Sequence, residues 1–330
     1  MSVRPDAKAT LALFAFAASA LLSAVANDKA WALYPDRNVK IVVPFAPGGG
    51  TDVIARTLAQ EMAKDLGVSV VIENKPGAGT IIGTQAVAVS DPDGYTLLMG
   101  TFSHAVNPSL NARLPYDPHR DFAPVALIAR SFNIVVVNPA SPIKSIADLI
   151  AAANADPDKL SYGTFGTGTS AHLAGELFKD MAKVNLTMVP YKGAAPAITD
   201  LIGGQIQVIF TTVASAAALI GAGQLRALAV TSAERSPAFP ALPTVAEAGV
   251  PGYSAESWYG LFAPARTPAE VIDRLNQSAA RAVRSEAFKR LGVTEGLVMV
   301  ARPPEELDRY LRGEEERWRK LIRDAGIRIE

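Results

Sequence analysis

Val39-Lys40-Ile41-Val42-Val43-Pro44-Phe45-Ala46-Pro47-Gly48-Gly49-Gly50-Thr51-Asp52 is the stretch that decides the fold. Its first half, residues 39–45, is nearly continuous apolar sequence, the pattern of a strand buried on both faces. Residues 51–66 then place Ile54, Leu58, Met62 and Leu66 at steps of four, which predicts an amphipathic helix. A buried strand turning through glycines into a helix is half of a β–α–β unit and calls for a parallel sheet. Glycine lets backbone approach a ligand closely, and Thr51 or Asp52 can cap the helix. The helix N-terminus also carries partial positive charge and unpaired N–H groups, the makings of a carboxylate or phosphate seat. No Gly-Lys-Ser/Thr follows, so this is not a P-loop. An ordinary capped turn accounts for the same residues equally well.

The alternation continues outward. Strands are expected at residues 68–73, 96–101, 160–165, 186–190, 205–210, 225–231 and 258–263, and helices at 80–89, 145–154, 170–183, 194–202 and 214–222. Residues 102–121, with Pro108, Pro115 and Pro118, read as loop, and residues 122–138 as one long strand. Residues 267–291 and 304–322 read as long amphipathic helices. Trp258 and Tyr259 read as core, and Glu314, Glu315 and Glu316 as solvated surface. The fold class is α/β, and this length exceeds one comfortable core. Two lobes are expected: residues 33–131 with 233–330, and residues 132–232. Residues 122–138 and 225–231 would cross between them as a two-strand hinge over a cleft.

Three more glycine-rich turns lie between strand and helix: residues 75–80, 163–172 and 190–194. Gly166 to Ala171 matches G-x-G-x-x-A, but residues 186–192 hold no acid to grip a ribose, which weakens a dinucleotide reading. Strand order would bring all four turns to one edge, beyond the carboxyl ends of the strands.

The 330 residues carry 32 basic and 32 acidic side chains, three histidines and no cysteine. That balance gives no electrostatic footprint for nucleic acid. Lack of cysteine removes disulfides, thiolate nucleophiles and zinc–thiolate sites. His104, His119 and His172 lack metal-ligand spacing, and neither a G-x-S-x-G elbow nor H-E-x-x-H occurs. No cofactor, metal or catalytic set is expected. At the N-terminus, Arg4 and Lys8 precede the 15 apolar and small residues 11–25, too few for the roughly 20 that span a bilayer. Ala24-Val25-Ala26 and Ala30-Trp31-Ala32 are small-x-small cleavage patterns. Residues 1–32 therefore read as a secretory signal peptide, with an uncut anchor as the alternative.

Taken together and in order, the motifs resemble one family, the Bug-type substrate receptors of tripartite tricarboxylate transporters. They are Val42-Val43-Pro44-Phe45-Ala46-Pro47-Gly48-Gly49 with Thr51, Asp52 and Arg56, Glu73-Asn74-Lys75-Pro76-Gly77-Ala78-Gly79, Asp93-Gly94-Tyr95, Gly166-Thr167-Gly168 with His172, Val189-Pro190-Tyr191-Lys192-Gly193, Pro243-Thr244-Val245-Ala246-Glu247-Ala248-Gly249 and Leu261-Phe262-Ala263-Pro264. The resemblance runs from Tyr34 to the C-terminal helix. It implies a bilobed type II periplasmic-binding-protein fold with flytrap closure, periplasmic location, no enzyme activity, and a monomer delivering a small organic carboxylate to a two-component membrane permease. The site it implies comprises Phe45, Ala46, Pro47, Gly48, Gly49, Thr51, Asp52, Gly79, Thr101, Ser103, His104, Phe165, Gly166, Thr167, Gly168, Thr169, Ser170 and Tyr191. Phe165 stands where the family more often has a small residue, which leaves the ligand's far end unassigned. A sensor docking to a membrane signalling protein and an exported carboxylate-processing enzyme are the alternative readings.

Overall fold

A computed structural model describes residues 34–324 except 158 and 237. The expected signal peptide, residues 1–32, lies outside the described residues. Strands β1 (Val39–Val43), β2 (Val70–Asn74) and β3 (Thr96–Thr101) alternate with helices α1 (Gly50–Leu66), α2 (Ile81–Ala88) and α3 (Phe102–Leu110). The long β4 (Phe122–Val137) follows. Next come α4 (Ile146–Ala155), β5 (Ser161–Thr164), α5 (Ser170–Ala182), β6 (Thr187–Pro190), α6 (Ala194–Ile202), β7 (Val208–Thr212), α7 (Val213–Gly221) and β8 (Arg226–Val230). The chain closes with β9 (Glu256–Pro264), α8 (Ala269–Val283), α9 (Glu286–Glu295), β10 (Val298–Arg302) and α10 (Pro304–Asp324).

These strands form one curled, mixed sheet in the order β2-β1-β3-β9-β4-β7-β5-β6. The β1–β2, β1–β3, β5–β6 and β5–β7 pairs are parallel, as the β–α alternation requires. β4 belongs to both ends. Its first part, through Phe132, runs antiparallel to β9 and β10, and residues 133–137 run antiparallel to β7 and β8. The two expected sheets are therefore continuous through one strand.

The expected return crossing at residues 225–231 is corrected by the structure. β8 stays beside the second part of β4, from Val137↔Arg226 to Ile134↔Val230. The return begins only at Thr231. There the Thr231 N–H donates to the Asn133 carbonyl (2.8 Å), the Asn133 N–H donates to Thr231 Oγ1 (2.8 Å), and the Ala255 N–H donates to the Thr231 carbonyl (2.8 Å). The Thr231 hydroxyl lies 2.6 Å from the Ala255 carbonyl, its acceptor. Three segments that pass between the two ends of the sheet are thus fastened at one fully buried residue.

Four further expectations change. Residues 102–110 are helix, not loop. Pro108 removes one helical N–H, but Phe102, Ala105 and Val106 bury their side chains, and Phe102 meets Trp318 edge-on at 4.6 Å. The expected helix at 267–291 breaks at Ser285, whose hydroxyl caps α9 by accepting the Phe288 N–H (3.2 Å). β10 was not foreseen: five residues with mixed burial carry too little period to read. Glu314 is not solvated surface. It is only 8% exposed, accepts the Trp318 Nε1–H (3.2 Å), and burial pushes its carboxyl pKa up. Its helix, α10, spans the molecule: Leu307 and Leu311 pack with Trp258 and Phe262, whereas Trp318 and Ile322 pack with Phe102 and Leu228. Trp258 and Tyr259 are core, as expected.

Asp65, at the end of α1, ties that helix to α8 through Arg274 (2.6 Å) and Arg281 (2.5 Å). Burial alone would raise its pKa, but the hydrogen bonds from Arg281 and Arg274 bring it down to about 2. The folded-state value lies below the unfolded one, so the contribution to stability is complete above about pH 4 and is lost as pH falls through about 2. Asp65→Asn should flatten the acid limb of a denaturation series over that window, read by circular dichroism. Thr231→Val should strand the buried Asn133 N–H and lower unfolding free energy by about 1–3 kcal/mol. Urea titration checks it, and an unchanged midpoint would contradict the junction.

Candidate functional site

The four glycine-rich turns do meet. The first leaves β1 and enters α1, with Gly49 as an extended N-cap whose carbonyl accepts the Val53 N–H (3.0 Å). Pro47 and Gly48 are exposed at its tip, and Thr51 is half-buried. Asp52, in the first helical turn, reaches back to accept the Gly48 N–H (3.0 Å), Arg56 Nε (2.8 Å) and Asn74 Nδ2 (2.9 Å). Asn74 also donates to the Phe45 carbonyl (3.1 Å). Burial works to raise the Asp52 pKa, but these donors outweigh it and hold the carboxyl below its usual range. Asp52 thus braces the turn and occupies one of its N–H groups. Asp52, expected among the ligand contacts, offers no free donor here, since its carboxylate is already paired with Gly48, Arg56 and Asn74.

From the other end of the sheet, α6 and α7 close over this turn. The Ala46 N–H donates to the Lys192 carbonyl (3.0 Å), and the Gly50 N–H to Ser215 Oγ (2.8 Å), itself 2.8 Å from Thr212 Oγ1. A Cβ at Gly50 would lie 2.9 Å from both Ala214 Cβ and Thr212 Oγ1, so only glycine fits. The second turn meets the third as closely. Gly79 has φ +59°, and a Cβ there would sit 2.1 Å from the Thr167 carbonyl oxygen. Asn107 on α3 donates to the Gly79 carbonyl (3.3 Å), and its Oδ1 would lie 2.6 Å from a Cβ at Gly168.

In the third turn the Gly166 carbonyl accepts from the Thr169 hydroxyl (2.7 Å), and the Gly168 N–H donates to His172 Nδ1 (3.2 Å). Burial pushes the His172 pKa down to about 4, which keeps the imidazole neutral and its Nδ1 able to accept. Ser170 opens α5, and its hydroxyl donates to Asn133 Oδ1 (3.3 Å). In the fourth turn the Tyr191 hydroxyl donates to Asp200 (2.7 Å), so this predicted site residue lends a ring rather than a free donor. Pro44 and residues 77–80, 165–167 and 190–192 enclose a crevice of about 240 Å³. Its one cationic lining residue, Lys192, is exposed.

Residues 54–327 match the family model "Tripartite tricarboxylate transporter family receptor". The chain belongs to that family. It is 35% identical to the periplasmic binding protein BugD, with a TM-score of 0.87 over 90% of this chain and all of that one. It is 40% identical to Rpa4515 of R. palustris, solved with adipate, at a TM-score of 0.85 over 89% of this chain and 98% of that one. MatC of Rhodopseudomonas palustris, solved with bound malate, is 33% identical, with a TM-score of 0.84 over 88% of this chain and all of that one. The mixed sheet and its helices are therefore the fold of the family's periplasmic solute receptors.

Within this family receptor, several predicted site residues stand back from the crevice. The His104 ring is in the core, 4.6 Å from Phe262, 4.8 Å from Phe122, and stacked on Tyr116. Burial, with the nearby His119, takes its pKa down to about 3. The helical turn of α3 points the ring at the sheet, which a loop reading could not anticipate. Phe45 packs in the main core with Ile54, whereas Phe165 lines the crevice. Thr101 is the extended residue before α3, 6% exposed. Ser103 is 1% exposed, and its hydroxyl has no partner among the described residues. Sequence reading missed Asn107, Asn133 and Ser215, single polar residues whose meaning comes from partners up to 165 positions away. Gly79→Ala should force the second and third turns apart. Small-angle scattering should then show a larger radius of gyration, and an unaltered profile would contradict the contact.

Proposed function

We propose that this chain is exported to the periplasm, captures a small organic dicarboxylate between its lobes, and hands it to a two-component membrane permease. The observation that carries the reading is the meeting of helix N-termini from both ends of the sheet. α1 comes from one end and α5, α6 and α7 from the other, with glycine turns ahead of α1, α5 and α6 and Thr212 directly ahead of α7. Such ends favour anions without a dedicated guanidinium. Adipate and malate, bound by the relatives Rpa4515 and MatC, are dicarboxylates and fit that chemistry.

The lobes are residues 33–131 with 233–330, and residues 132–232. On that division, the Ala46–Lys192 and Gly50–Ser215 bonds and the Gly79–Thr167 contact are interlobe, and the structure is the closed form. Opening breaks these three contacts, and a bridging ligand shifts the population back toward closure. The proposed carboxylate contacts are the donors at Gly49, Thr51, Ser103 and Thr167 and the main-chain N–H of Ser170, with Gly48 and Asp52 shaping the first turn, the rest of residues 166–170 shaping the third and Phe165 walling the crevice. Residues 1–32 support export as a signal peptide, and no helix among the described residues is long and apolar enough to cross a membrane. Binding alone suffices for this role, the receptor acting as a monomer without cofactor.

A calorimetric and thermal-shift panel of di- and tricarboxylates tests the reading. One member should bind with 1:1 stoichiometry and, at 100 times its Kd, raise stability by about 2.7 kcal/mol. Gly49→Asp should abolish that binding while the protein remains folded, because it sets a negative charge in the proposed seat. A panel without any saturable ligand would overturn the reading.

A further inference from the structure

We infer that Asn133 is the residue through which a bound carboxylate pulls the clamp shut: its side-chain amide donates to the ligand while its backbone holds the hinge. The inference rests on the carboxylate reading above and adds to it a specific donor and a route to closure.

Asn133 sits where β4 passes from one end of the sheet to the other, opposite Thr212 in the β4–β7 ladder. It is 0% exposed. Three helix N-termini gather around it. Ser170, the first residue of α5, donates to its Oδ1. Thr212 precedes α7 and bonds Ser215, which takes the Gly50 N–H at the start of α1. These are neutral donors, so the place has the sign and chemistry of an anion seat.

The second observation is independent of those helix ends. Asn133 Nδ2 has no hydrogen-bond partner among the described residues. A fully buried amide donor without a partner is uncommon, because its desolvation is left uncompensated. A ligand acceptor that reaches Nδ2 as the lobes close corrects that deficit, and a carboxylate does so best, since hydrogen bonds to charged acceptors are the stronger ones. The same residue's main-chain N–H and carbonyl are both engaged by Thr231, the point at which the return segment leaves β8. A ligand held by Nδ2 is therefore one residue's length from the junction about which the lobes turn.

Adipate and malate titrations of the wild type, Asn133→Asp and Asn133→Ala, at pH 7.5 and pH 5, decide the matter. Asn133→Asp keeps the acceptor that Ser170 uses and replaces the free donor with a negative oxygen. It should weaken binding at least a hundredfold at pH 7.5 and recover part of the loss at pH 5, as the carboxyl protonates. Because a buried carboxylate also weakens the fold until acid protonates it, the ligand-free thermal midpoint of each variant is measured at both pH values, and an affinity loss in a variant whose midpoint matches wild type is assigned to the lost donor. Asn133→Ala should weaken binding about tenfold at both pH values, with a ligand-free thermal midpoint close to wild type. If the wild type binds a dicarboxylate and both variants bind it equally well, this inference is overturned and the carboxylate reading stands. If the wild type binds neither adipate nor malate, Asn133 has no such role and the carboxylate reading loses its support from those relatives.

Discussion

Continuity of β4 through both ends of the sheet is the constraint on which the rest of the structure depends. One strand of 16 residues cannot be moved as two independent pieces, so whatever happens at one end is conveyed along its backbone to the other. The return segment is held to it at Thr231, where hydrogen bonds from Asn133 and Ala255 converge on a fully buried residue. α10 adds a third link, with Leu311 in one cluster and Trp318 in another. On the proposed lobe division, the direction left for closure is a swing of the two ends about this junction. Large surfaces then remain rigid while the glycine-rich turns close or part.

On the proposed reading, those turns would recognise charge without a buried cation. Asp52 and Arg56 are already paired, the His172 imidazole is neutral, and the crevice's lysine lies exposed at its margin. What remains at the centre are main-chain N–H groups, hydroxyls and an amide. Neutral donors fixed by short helices are preorganised, so little reorientation accompanies binding. They also leave no unpaired buried cation when the site is empty, which would cost far more than an unpaired amide. The close contacts at positions 50 and 79 leave room only for glycine where the two ends of the sheet meet.

Much of this was legible in the sequence. The strand–glycine turn–helix of residues 39–66, the repeated β–α alternation and the long run at 122–138 mark an α/β protein with a shared crossing strand. The ordered motifs pointed to the receptor family. The sites of misreading have physical reasons. Pro108 suggested loop because its local penalty is visible in sequence, whereas the burial of Phe102 and Val106 is not. His104 and Asp52 carry chemistry that invites a functional role, but one is packed among aromatic rings and the other fastened to Arg56 and Asn74. Asn133 and Ser215 gave no signal at all, since a lone polar residue acquires a role only through long-range partners.

A crystal structure of the chain with adipate or malate is the most direct measurement of the central claim. The account predicts one carboxylate within hydrogen-bonding distance of the Gly49–Thr51 turn and of residues 166–170, with both ends of the sheet touching the same ligand. A ligand bound to one end only, or seated away from these turns, would contradict it.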